Sequence, residues 1–112
     1  MAVDLSALAA PRATQAVTLT SGVGDVTAVT LPKWSKILTV RFLTSAGGDE
    51  QGYFEFSGTD AAAKTAHAWP VASGAAYAIR TWGRKQSPSG EVVIYLAGSS
   101  ASGIAYIHLE TD

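Results

Sequence analysis

The run KILTVRFLT at residues 36–44 constrains what this chain can fold into more than any other stretch. It is dense in β-branched and large apolar side chains, and turn-forming residues close both its ends. Successive side chains of an extended strand point to opposite faces, so Leu38, Val40 and Phe42 share one face. Thr39 and Arg41 share the other, flanked by Ile37 and Leu43. A strand apolar on one face and mixed on the other belongs in the interior of a packed sheet.

The device recurs along the chain. TQAVTLT at 14–20 sets Val17 and Leu19 on one side. Residues 26–31 form a second short strand, stopped by Pro32 because proline cannot donate to a ladder. The loop SAGGD at 45–49 has the glycine content of a hairpin connection. Residues 52–56 then place Phe54 and Phe56 inward, with Tyr53 and Glu55 outward. AAYAIRTW at 75–82 puts Tyr77, Ile79 and Thr81 on one face, and EVVIYLA at 91–97 is apolar on both faces and hence central. IAYIHLE at 104–110 closes the domain with Ala105, Ile107 and Leu109 inward. Seven strands at such spacing predict an all-β fold, an antiparallel β-sandwich with Greek-key or jelly-roll connections, a closed barrel being the alternative. DAAAKTAHA at 60–68 is the one helix-compatible segment, with Asp60 as N-cap, though a structured crossing loop fits it equally. Residues 83–90 read as a polar tip.

Residues 1–13 lack this β-branched density. Leu5, Leu8 and Ala9 stand at helical spacing, but one turn of helix is marginal alone. The expectation is an N-terminal arm, extended or briefly helical, laid across a neighbouring subunit or simply frayed. A single sandwich over residues 14–112 follows it, the chain of 112 residues having room for one domain.

Charge narrows the partners. Charged residues make up 15% of the chain against a usual ~25%, which suggests that some surface is covered by another protein. Eight basic and nine acidic residues leave a net charge of −1, and the densest basic cluster, at 80–85, holds three charges. That field is too weak for a nucleic-acid binder. With no cysteine there is neither a disulfide framework nor a thiolate metal site. Asp4 stands where a signal peptide needs positive charge, and no run approaches the ~18 apolar residues of a membrane span. The sequence therefore points away from a membrane partner and toward a protein kept in, or packaged from, the cytoplasm of the cell that makes it.

A search for chemistry returns little. A zinc site needs three or four converging ligands, and neither His67 nor His108 has them; only Glu110 accompanies His108. Asp49, Glu50 and Asp60 read as solvated loop carboxylates before a calcium site or an acid–base pair. There is no nucleophile elbow and no phosphate-cradling glycine loop. The expectation is a protein that is not an enzyme, with no catalytic residue, no cofactor and no metal.

The aromatic residues carry more. Trp34, Trp69 and Trp82 lie at strand ends or bends. They read first as plugs for the open ends of the sandwich or anchors of subunit contacts, and second as a stacking platform for sugar rings. Tyr53, Tyr77, Tyr95 and Tyr106 would make an exposed stripe if their strands adjoin. The candidate partner-binding residues are thus Leu5, Leu8 and Arg12 in the arm, with Trp34, Trp69 and Trp82.

The order of parts resembles small structural proteins of tailed-bacteriophage virions. The likeness rests on a short arm rich in Ala, Ser and Thr, a Thr-Val strand and the LPKW bend at 31–34. FEFSGTD at 54–60, WPV at 69–71 and the GSSASG loop at 98–103 before a last strand complete it. The resemblance implies a β-sandwich or jelly-roll unit without catalysis. It would act in assembly as capsid decoration or cement, binding major capsid or other virion proteins as a homo-oligomer, often a trimer. The alternatives are a tail or fibre adaptor and a carbohydrate-binding module.

Overall fold

The computed structural model describes residues 2–19, 26–56, 69–81, 91–98 and 103–111. The helix-compatible segment at 60–68 with His67, the polar tip at 83–90 and Trp82 lie outside them. Nine strands are described: β1 (Ala2–Asp4), β2 (Arg12–Thr18), β3 (Thr27–Thr30), β4 (Ile37–Leu43), β5 (Gly52–Glu55), β6 (Trp69–Val71), β7 (Tyr77–Arg80), β8 (Val93–Gly98) and β9 (Ile104–Glu110). They form a five-stranded sheet in the order β1-β3-β8-β5-β6 and a four-stranded sheet in the order β2-β9-β4-β7.

The pairing explains the order. β2 pairs with β9, β3 with β8, β4 with β7 and β5 with β6, all antiparallel. These four pairs nest, the first strand with the last and so inward, which is a long two-stranded ribbon folded over on itself. Ladders between β4 and β9 and between β5 and β8 then close each sheet. This is the connectivity of a jelly-roll sandwich. The departure from antiparallel pairing is β1, which lies parallel to β3 at the edge of the larger sheet.

The alternation foreseen on the main strands sorts the core. Leu38, Val40 and Phe42 of β4 meet Ala105, Ile107 and Leu109 of β9 from one sheet, all buried. Val29 and Leu31, Ile94 and Leu96, Phe54 and Val71 face them from the other. At one point the sheets touch through a glycine. A Cβ on Gly52 would stand 2.1 Å from Cγ of Phe42, so the Phe42 ring lies directly on the β5 backbone. Beyond β4, Gly47 takes a φ of 92°, open to glycine at no steric cost, where the 44–48 loop turns back toward Asp49.

Two short strands extend the pattern read from the sequence. β6 contains Pro70, tolerated because β6 is an edge strand with β5 alone as neighbour among the described strands. β1 overturns the expected arm: the segment before β2 is built into the sandwich. Leu5 is 6% exposed within the core, and its N–H donates to the Thr30 carbonyl at 2.8 Å. Leu8 packs against the same cluster. An apolar pair on a short segment is more stable in the domain's own core than in water, and β3 offers a free ladder beside it.

Two carboxylates also depart from expectation. Glu55 points to the outer face of the five-stranded sheet as its parity requires, yet is 6% exposed, and Ala97 on the same face is fully buried. Glu50, read as a solvated loop residue, is buried as well. A Cβ on Gly103 would stand 2.6 Å from Glu50 Oε2, so that position leaves room for the carboxylate. Alternation reports which face a side chain takes, not how far water reaches that face.

Candidate functional site: an aromatic mouth between two sheet edges

Among the described strands, β6 and β7 are the edges of the two sheets on one side of the sandwich. Trp69 opens β6 and pairs with Phe54 of β5. Tyr77 opens β7 and pairs with Val40 of β4. Phe54 and Val40 both point inward, so by parity Trp69 and Tyr77 point toward the space between the sheets, at its rim.

The rings form a continuous chain. Phe56 and Phe54 have centroids 6.0 Å apart at 74°, edge to face. Phe54 lies 5.6 Å from Tyr77, and Tyr77 lies 6.2 Å from Trp69 with their planes 55° apart. These are the tilted geometries that aromatic quadrupoles prefer. The chain runs from the core to solvent: Phe54 is buried, Tyr77 is 37% exposed and Trp69 is 54% exposed. Trp69 and Tyr77 therefore present an inclined notch of two ring faces, held from behind by Phe54 and Phe56. Such a notch can receive an apolar side chain of a partner or the face of a sugar ring.

The remaining candidates scatter. Leu5 belongs to the core and cannot serve a partner. Trp34 is half-buried, and its Nε1 donates to the Leu8 carbonyl at 2.8 Å, which ties the two expected partner residues to each other. Trp34 therefore packs against the core cluster with its indole N–H engaged inside the domain. Arg12 is exposed on β2, opposite Glu110 of β9. Trp82 lies outside the described residues. The tyrosine stripe does not form: Tyr53 and Tyr95 share the outer face of the larger sheet, Tyr106 is on the outer face of the smaller one, and Tyr77 is at the mouth. The sequence reading missed that Tyr77 and Phe54 join Trp69. The join depends on a three-residue strand that no periodicity announces.

Several polar side chains on the smaller sheet's outer face have local partners. The His108 ring lies 2.8 Å from Thr14 Oγ1 through Nδ1 and 3.1 Å from Glu110 Oε1 through Nε2. With both ring nitrogens engaged, it is a partnered surface histidine. Asp49 pairs with Arg41 on the exposed surface, a contact worth at most ~1 kcal/mol. Among the described residues no group of three His, Asp or Glu side chains could hold a metal ion.

No family model matches the sequence, and no curated protein matches it. A solved chain from the disulfide-linked pili that form Bacillus endospore appendages aligns over 90% of this chain and 86% of that one, at 15% identity and a TM-score of 0.34. Likeness at that level carries no argument about function.

Proposed function

We propose that this chain is a non-enzymatic virion structural protein, a capsid decoration or cement protein that binds the head lattice of a tailed phage as an oligomer. It would be made in the host cytoplasm and reside in the virion. The observation that supports this reading is the exposed Trp69–Tyr77 pair, braced by Phe54 and Phe56. Half-exposed aromatics on a weakly charged domain are the composition of a docking anchor. A repeated lattice multiplies modest individual contacts, so one anchor per subunit suffices. The contact role given to the arm passes to this mouth, since Leu5 and Leu8 are spent inside the domain.

The same rings favour a second reading, a carbohydrate-binding module at the tip of a fibre or in a tail adaptor. Only Trp69 among the described tryptophans suits it, because Trp34 is tied to Leu8.

Mass spectrometry of purified particles from a phage whose genome encodes this chain tests the proposal. The chain should be present in a fixed ratio to the major head protein. Trp69→Ala should lower rebinding to particles stripped of it at least tenfold, about 1.4 kcal/mol or more, with unchanged melting temperature. Particles that lack the chain would refute the virion reading. Protection of Trp69 from a collisional quencher by a member of a glycan panel would favour the carbohydrate reading.

A further inference from the structure

Among the described strands the sandwich has four sheet edges, and three of them are blunted against pairing. β1 and β6 are three residues long, and β6 carries Pro70. β7 is four residues long and ends in Arg80. Short edge strands, prolines and charges are the usual devices that keep edges from pairing with another chain.

β2 has none of them but a charge at its first residue. It is seven residues long, it contains no proline, and after Arg12 it carries no charge. Five of its residues, Arg12, Thr14, Gln15, Ala16 and Thr18, are exposed. Among the described residues no strand lies beyond it. The ladder to β9 fixes which of its backbone groups are free. Leu19 N–H donates to the Gly103 carbonyl, and Thr111 N–H donates to the Pro11 carbonyl, so the odd-numbered residues of β2 turn their backbone groups toward β9. The N–H and C=O of Arg12, Thr14, Ala16 and Thr18 therefore point away from the sheet.

We infer that β2 is a homotypic interface, pairing antiparallel with β2 of a second copy across a two-fold axis at Gln15. The strand is complementary to itself in that register. Thr14 meets Ala16 and Arg12 meets Thr18, so each outward residue finds an outward residue and exchanges both its bonds. No like charges stand opposite one another. Apart from Arg12 at either end, the facing side chains are small, and the two Gln15 amides meet across the axis. Gln15 Nε2 already donates to the Ala16 carbonyl at 3.3 Å, which leaves that oxygen a second lone pair. The result is one continuous sheet running through both subunits, an isologous contact that closes on itself. This stands independently of the virion reading, and it assigns a two-fold where the family likeness implies a three-fold.

The test combines light scattering across a dilution series with amide hydrogen exchange on the full chain. The expected result is a dimer in which Thr14, Ala16 and Thr18 amides are protected in proportion to the dimer fraction. Gln15 and Val17 amides, which face β9, should be protected at every concentration. Thr14→Pro removes one outward N–H and should return the mass to monomer with Gln15 and Val17 still protected. Ala16→Lys, which keeps the backbone intact, should do the same if the proline variant fails to fold. A monomer at all concentrations, a trimer, or a dimer whose outward amides exchange as in the monomer would overturn the inference. A monomer still found on phage particles would sink this interface and leave the virion reading standing.

Discussion

Gly52 shows what a single residue does here that its own neighbours in sequence do not reveal. Its inward face carries the Phe42 ring from the opposite sheet, so an added methyl would overlap ring carbons rather than a flexible chain end. Overpacking in a close-packed core costs typically ~1–3 kcal/mol. Gly52→Ala should therefore lower the melting temperature clearly. Phe42→Leu in the same background should recover part of the loss, since the shorter side chain gives the methyl room. Additive losses in that double-mutant cycle would mean the two residues do not touch. Read from the sequence, Leu38, Val40, Phe42, Ile107 and Leu109 were assigned to the core by alternation alone, and they are in it. Gly52 was not legible, because its reason lies across the sandwich. Glu55 was legible in direction and not in burial, because alternation gives the face a side chain takes and not how far water reaches it.

At the scale of elements, strands long enough to alternate were readable and the three-residue strands were not. β1 is held by its ladder to β3 and by Leu5, and it is finished by a local device: the Asp4 carboxylate accepts from Ser6 N–H at 2.9 Å. Hydrogen bonds from Ser6, side chain first and backbone second, hold the Asp4 pKa below its ordinary 3.8, against a small opposing effect of desolvation. A depressed folded pKa means stability that is present above the unfolded value and lost as pH falls through the folded one. Asp4→Ala should thus melt below the parent chain at pH 6. The two should converge as pH falls through the carboxylate range, because protonation removes from the parent what the mutation removed from the variant. A difference that persists at acid pH would show that the side chain acts by packing instead. The mouth at β6 was half legible: Trp69 was singled out as an aromatic at a strand boundary. Tyr77 reads from the sequence as part of a tyrosine stripe and Phe54 as an inward residue. Neither reads as a neighbour of Trp69, since they meet through an edge strand containing proline, which sequence reading discounts.

The whole molecule is a nest of pairs, and the outermost pair joins its ends. Arg12 lies opposite Glu110, so β2 and β9 meet only when nearly the entire chain has been brought round. Ordering so much chain before the contacts repay it makes folding slow, and sandwiches of this kind refold in milliseconds to seconds rather than microseconds. Stopped-flow tryptophan fluorescence should place refolding in that range. The topology also predicts unequal tolerance of truncation. β1 is an edge strand, so removing residues 1–4 should lower the melting temperature yet leave one cooperative transition. β9 is interior, the sole described partner of β2 and a partner of β4, and its Ala105, Ile107 and Leu109 are fully buried. Truncating one such Ile or Leu to Ala already costs ~2–5 kcal/mol. Losing two together with both ladders removes most or all of the ~5–15 kcal/mol that holds a domain folded. A chain ending at residue 103 should therefore show no cooperative melting by calorimetry. If it melts cooperatively, the nested ribbon is not what holds this sandwich together.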